Sequence, residues 1–569
     1  MDKLLGRIGR TMLAVLSATI TATALGSEPI AIEKSIFWGD LHTHTAYSMD
    51  AYVLNTQTTP EDAYRFAQGG PITLPDGSTH RLHRPLDFAA VTDHAEYFGL
   101  INVCRHEPER PYCQELAKAA AEKSRRGFVE IFLPLIVSGQ RNCLVDDAAC
   151  SDFEANLWQR TIDAAEAANQ PGKFTTFVAS EWTASPDNLH WHRNLIYGNA
   201  SVPNRAINSF DQPTQESMWR ALKENCQDHP PCDVIAIPHN GNIGLGGSYN
   251  IAGHKPPLLG LRANFERLVE IHQHKGSSEC YPGSLYSDES CNFEIALPIP
   301  IRDDLRLKQR NLTEQEQRDI AKGYVRPTLA NGLGIQAELG INPFKYGFVG
   351  ATDSHSTQPG STKESNWRGA LGQWDLELKD RQIYAAYNPG GLTAIWAREN
   401  TRSALFAALQ RREVYATSGT RIKLRVQQTF APASAVDCAT PLANTIPMGG
   451  TFSNAAEAKK PTFIIEAMQD ATPIAAIDLI KLQQVEGQVK QQVINLKRYP
   501  EGQASSCVIW TDNDFESGDM ALWYVRVLEQ PTHVNCLFSN RSIVTFKVIC
   551  SCNFSRIITC RFVYNVCSY

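Results

Sequence analysis

The sequence predicts an α/β barrel whose functional groups gather at one end, followed by a β-rich domain. Three observations carry that prediction. Five apolar, strand-like runs each stop at a residue of metal-ligand type, helical stretches separate them, and beyond Ser418-Gly419 the texture changes to strands joined by polar, turn-rich loops. Buried strands that each end in a polar residue, with helices between them, are the sequence form of a barrel with its site at the C-terminal face.

The first run, Ile36-Phe37-Trp38, leads into Gly39-Asp40-Leu41-His42-Thr43-His44-Thr45. Residues i and i+2 of a strand point the same way, so both imidazoles can reach one ion. Divalent metals are held by several neutral imidazoles and carboxylates together. A lone His-x-His is more often a pair of surface histidines, but here the pattern repeats. Residues 86–92 run into Asp93-His94, residues 177–180 into Glu181, residues 234–238 into His239, and residues 348–352 into Asp353-Ser354-His355. One such coincidence is cheap; five in order are a strong signal.

These motifs bear a family likeness. His42-Thr43-His44, Thr92-Asp93-His94, Glu181, the His192-x-Asn194 step, Pro238-His239-Asn240-Gly241-Asn242 and Thr352-Asp353-Ser354-His355 resemble those of the PHP (polymerase and histidinol phosphatase) superfamily. The wording of Phe37-Trp38-Gly39-Asp40, Glu96-Tyr97-Phe98-Gly99, Gln273-His274-Lys275-Gly276 and Tyr415-Ala416-Thr417-Ser418-Gly419 is similar to the DUF3604 branch, over about residues 36–532. The resemblance implies a distorted (β/α)7 barrel with a site for two or three divalent transition metal ions. On it, His42, His44, Glu181 and Asp353 hold one metal, and Glu181 bridges to a second bound by His94 and His239. His192 and His355 complete the set, around a third ion as in trinuclear relatives. Asp50 falls where the superfamily often adds a ligand, although a solvated carboxylate reads nearly as well there.

The chain starts with Lys3, Arg7 and Arg10 ahead of an apolar, small-residue run over 12–25 and an Ala24-Leu25-Gly26 step, the layout of a secretory signal over residues 1–26. No later segment is long and apolar enough to span a bilayer. The chain has 15 cysteines, and most fall into couples: Cys104 with Cys113, Cys143 with Cys150, Cys226 with Cys232, Cys280 with Cys291, and more distantly Cys438 with Cys507. Behind an export signal these read as disulfides, which places the protein in the periplasm or outside the cell. A net charge of −6 over 569 residues, with no basic stripe, argues against nucleic acid as a partner.

The remaining elements fill in around this plan. Thr59-Pro60-Glu61-Asp62 suits a helix start. About residues 100–168 read as a helical insertion, a lid or wall of the pocket. The strand-like run over 268–275 puts His272 and His274 on one face; the superfamily pattern does not ask for a pair of ligands there, and substrate contact by His274 and Lys275 is the stronger reading. A cation beside a metal cluster suits an anionic substrate. His274, Lys275 and Asp93 are therefore the candidate catalytic residues. Thr313-Glu314-Gln315-Glu316 is a capping box, and residues 400–412 read as a helix. Four strands are expected at 422–426, 462–467, 477–482 and 521–528, as a β-sandwich-like domain over 420–532 behind a barrel over 27–419. After Thr532 the family-like wording stops. The Cys-rich residues 533–569 read as a frame-shifted tail, or else as a divergent one with its own disulfides.

Clustered ions acidify a bridging water and stabilise attacking and leaving oxygens at phosphorus. The expected activity is therefore hydrolysis of a small anionic phosphate ester by a metal-bridging hydroxide, with zinc, manganese or iron compatible with the donors. The rival readings are a metal hydrolase acting on a C–N or C–O bond and a metal-binding protein without catalysis.

Overall fold

The computed structural model describes residues 34–122, 140–308, 310–377, 380, 388–438, 445–452, 460–516, 518–531 and 562–568. The expected export signal and residues 532–561 of the tail lie outside the described residues.

The expected barrel runs are strands. β1 (Ser35–Asp40) pairs in parallel with β2 (Phe88–Ala90), and β2 with β3 (Thr175–Trp182), every residue of which is buried. A Cβ on Gly39 would stand 2.3 Å from the Phe88 carbonyl oxygen, so only glycine lets β1 lie this close to β2. The direction then alternates through β4 (Arg193–Tyr197) and β5 (Val234–Pro238), each antiparallel to the strand before it. β6 (Leu268–Gln273) and β7 (Gly347–Gly350) pair in parallel in a separate sheet, and β8 (Leu392–Ala397) and β9 (Val414–Thr417) run antiparallel on the other side of β1. The sheet is therefore mixed rather than uniformly parallel. Residues 183–192 contain only a three-residue 3-10 turn, too little for the helical crossover that a parallel return needs, so β4 comes back antiparallel.

β1 and β7 lie in different sheets but are stitched together just past their C-terminal ends. The Asp353 N–H donates to the His42 carbonyl at 2.9 Å and the His44 N–H to the Ser354 carbonyl at 2.8 Å. Buried Asp40 accepts from the Thr352 N–H at 3.2 Å and the Thr352 hydroxyl at 2.5 Å. This stitching sets the two richest ligand segments side by side.

The helix starts follow their local chemistry. α1 (Met49–Val53) carries Asp50, and α2 (Pro60–Ala67) begins at Thr59, whose N–H donates to Asp62 at 2.9 Å. Among the described residues, the helical insertion contains α3 (Phe98–His106), α4 (Pro111–Ala121) and α5 (Asp147–Ala168), the last capped by Asp146 on the Ala149 N–H. The Thr313 capping box opens α6 (Glu314–Ala321), and α7 (Arg402–Gln410) follows β8. All five cysteine couples are disulfides, with Cα separations of 5.2, 5.5, 4.8, 5.1 and 6.3 Å in chain order. Among the described residues, no helix is long and apolar enough to cross a membrane.

Beyond Thr420 the described residues are mainly strand: β10 (Lys423–Thr429), β11 (Thr462–Met468), β12 (Ile474–Val485), β13 (Gln488–Gln503), β14 (Ser505–Thr511), β15 (Met520–Glu529) and β16 (Phe562–Ser568). β10, β11 and β14 form one layer, and its Phe463 packs 5.3 Å from Trp523 of β15 in the facing layer. That facing layer is not separate from the sheet that carries β1 to β5. β13, β12, β15 and β16 continue through β9 and β8 into β1, so strands on both sides of Thr420 share one sheet.

Candidate metal centre

The site forms where the ends of β1, β3, β5 and β7 meet. His42 and His44 leave β1 on the same side, and the Nε2 atoms of the two rings lie 3.2 Å apart. Asp353 Oδ1 is 3.3 Å from His42 Nε2 and 3.1 Å from His44 Nε2, and Glu181 Oε2 is 3.1 and 3.4 Å from the same two atoms. The other oxygen of Glu181 faces His192 Nδ1 at 2.7 Å, His239 Nε2 at 3.1 Å and His94 Nδ1 at 3.5 Å. Asp50 Oδ2 stands 2.6 Å from His355 Nε2 and 3.0 Å from His94 Nε2. All eight histidines and carboxylates expected as ligands thus converge. The order of sharing differs in two respects: His192 faces Glu181 on the same oxygen as His239, and His94 turns Nε2 to Asp50 as well as Nδ1 to Glu181, so Asp50 joins the cluster beside His94 and His355.

The chemistry of this donor set fits metal ions. His42 Nδ1 lies 3.0 Å from Glu270 and His44 Nδ1 lies 3.1 Å from the Ser48 hydroxyl, so each ring can place its proton outward and turn a lone pair inward. Each of the two Nε2 atoms lies within 3.4 Å of both a Glu181 and an Asp353 oxygen, a spacing that a shared cation, proton or metal, holds together. Donors about 2.0–2.1 Å from a tetrahedral ion are about 3.3–3.4 Å apart, close to the 3.1–3.4 Å found here.

Negative charge dominates the centre: against burial, Asp353 and Glu270 hold His42 well above its usual range, and Asp50 and Glu181 push His94 up to about 10, the positive charge that a bound metal would replace. Burial works against the charge on Glu181, but His94, His239 and His192 outweigh it and hold the carboxyl well below its usual range. Asp353 is likewise held down against burial by His42, Lys275 and His355, and Asp50 by His355 and His94. His44 is pushed down to about 3, first by burial and then by His355, which keeps it a neutral ligand. Asp353 also adopts φ +51°, uncommon for a non-glycine residue and the kind of strain that gathers at functional sites.

The candidate catalytic residues stand one step further out. Lys275 Nζ pairs with Asp353 Oδ2, which also accepts from Gln273 Nε2 at 2.6 Å and lies 3.4 Å from His274 Nε2. Both oxygens of Asp93 accept from Thr45, at 2.6 Å from its N–H and 2.7 Å from its hydroxyl, so Asp93 braces the turn that carries His44. Burial pushes the Asp93 carboxyl up to about 7. His272 stacks on Phe293 at 5.8 Å. Reading the sequence did not single out Glu270. The available signal was an acid inside the otherwise apolar run Leu268-Val269-Glu270-Ile271, overshadowed by the histidines after it. A cavity of about 320 Å³ lies against Ser356, next to His355, and is lined also by Thr56, Thr58, Thr73 and Leu74.

The family model DUF3604, described as a protein of unknown function, matches residues 31–498 and 497–548. The chain belongs to this family. The DUF3604 match runs past Thr532, where the family-like wording was read as ending. No curated protein matches the chain. Among solved structures, the DUF3604 chain is similar to a two-domain protein from Bacteroides vulgatus containing a predicted PHP-like metal-dependent phosphoesterase. The identity is 10% and the TM-score 0.30, over 87% of this chain and 90% of that one.

Proposed function

We propose that this DUF3604 protein is an exported, metal-dependent phosphoesterase built on a distorted (β/α)7 barrel. The observation that carries the reading is the convergence of His42, His44, Glu181 and Asp353 on one point, with Glu181 extending to further histidines on its other oxygen. Those four would hold one ion, Glu181 with His192 and His239 a second, and Asp50, His94 and His355 a third. Zinc, manganese and iron all suit such mixed donors. Ions so held lower the pKa of water and neutralise charge developing on phosphoryl oxygens.

The chain's own residues set the stage for that chemistry. Glu270 fixes the tautomer and tilt of His42. Gln273 and Lys275 hold one oxygen of Asp353 and leave the other facing the two histidines. Lys275 is therefore first a positioning residue, and its ammonium also favours an anionic substrate close by. The five disulfides support an oxidising compartment outside the cytosol.

The decisive experiment is elemental analysis of the purified protein beside a His42→Ala, Asp353→Ala double variant, followed by a panel of phosphate esters, amides and lactones. We expect about two or three equivalents of transition metal in the wild type, loss of most of it in the variant, and turnover of phosphate esters alone. A wild type that is metal-free and resists reconstitution would sink the reading, as would turnover confined to amides or lactones.

A further inference from the structure

The flank of the site formed by His192 and His239 contains polar atoms that nothing described satisfies. Asn240 follows His239, is 2% exposed, and has no hydrogen-bond partner at either its amide oxygen or its amide nitrogen. The Nδ1 atoms of His239 and His190 are also buried without partners. The His190 ring stacks on His192 with centroids 4.5 Å apart, which keeps it at the edge of the cluster. An unpaired buried amide costs about 1–3 kcal/mol. A folded protein that retains one does so where a ligand or an ordered water completes it.

The backbone around Asn240 is held rather than slack. Asn240 adopts φ +57°, a left-handed conformation that asparagine and glycine tolerate better than other residues. Two residues on, the Asn242 side chain donates to the Lys275 carbonyl at 3.1 Å and accepts from the Ser278 hydroxyl at 2.9 Å. The loop is thereby tied to the segment that carries His274 and Lys275. Asn240 therefore stands between His239 and the anchored Asn242 along the chain, with an unused donor and an unused acceptor.

We infer that Asn240 is a substrate-positioning residue whose amide nitrogen donates to a nonbridging oxygen of the phosphoryl group, with His190 Nδ1 as a second polar contact. The inference rests on the phosphoesterase reading. The site already gathers three carboxylates that would repel an anionic substrate, and a neutral amide donor binds a phosphoryl oxygen without competing with the histidines for the metals. The amide oxygen would accept from a phosphate hydroxyl or from water.

The test is calorimetric titration of the zinc-loaded holoprotein with inorganic phosphate. Asn240→Gly keeps the left-handed backbone and removes only the amide. It should raise the phosphate Kd about tenfold with metal stoichiometry unchanged and the cooperative melt retained. Asn240→Asp keeps the shape but exchanges the donor for a negative charge, and should weaken phosphate further. If Asn240→Gly binds phosphate as the wild type does, the inference is overturned while the phosphoesterase reading stands, and an ordered water is the amide's partner. If the wild-type holoprotein fails to bind phosphate, the phosphoesterase reading falls and takes this inference with it.

Discussion

Glu270 does not touch the shared centre, yet it decides which nitrogen of His42 faces it. Replacing it with glutamine keeps the shape but puts a donor or a weaker acceptor against His42 Nδ1. Glu270→Gln is expected to lower metal affinity about 10- to 100-fold, read by chelator competition, while leaving the fold intact. Unchanged affinity would mean that His42 is oriented by packing alone. A second buried acid, Glu266, answers to pH instead. Arg193 Nε lies 3.0 Å from it and Arg262 Nη2 2.9 Å. Burial works against its charge, but the two guanidinium groups outweigh it and hold the carboxyl below its ordinary 4.5. A folded-state pKa lowered in this way stabilises the protein fully above pH about 4.5 and progressively less as pH falls through the folded value. Glu266→Gln should therefore cost about 3–5 kcal/mol near neutrality, with the gap from wild type narrowing in acid. A gap that does not vary with pH in chemical denaturation would show that the ion pairs are not its origin.

At the scale of elements, the disulfides differ in what they constrain. Cys438 and Cys507 are 69 residues apart, whereas Cys226 and Cys232 are only 6 apart. Loop-closure entropy then predicts that replacing the first pair by serines costs about 4 kcal/mol and the second about 2 kcal/mol. Thermal melts of the two double variants test this ranking, and a larger loss from the short loop would contradict it. The cysteine couples were legible in the sequence because near neighbours along the chain pair locally, and the capping boxes because their chemistry lies within four residues. Most of the candidate ligands were legible because they close an apolar run, whereas His192 stood out only through the family likeness. Asp50 stayed open and Glu270 passed unnoticed, since their roles depend on which strands and helices meet across the barrel. β13 was missed for a related reason. Its residues, Gln488-Val489-Lys490-Gln491-Gln492 onward, are too polar to announce a strand. They extend because Glu486 and Gly487, at φ +50° and +82°, make a two-residue turn that pairs Val485 with Gln488.

For the molecule as a whole, the sheet order raises a question that the sequence answers one way and the pairing another. The family match ends at residue 548, and the residues after Thr532 crowd in cysteines, as a shifted reading frame would. Yet β16, at the far end of that tail, lies between β15 and β9, pairing Val566 with Tyr524 and Tyr564 with Ala416. In the sheet order it is the strand that joins β9, β8 and β1 to β15, β12 and β13. A strand with ladders on both sides leaves two open edges when removed, and open edges lose stability and invite aggregation. Truncation after Thr532 is therefore expected to lower the melting temperature by at least about 5 °C and to promote association visible by light scattering. Metal content should fall less, since every candidate ligand precedes residue 356. A truncated protein that melts like the full chain would instead favour the shifted frame, and resequencing the gene across the Thr532 codon would then locate the slip.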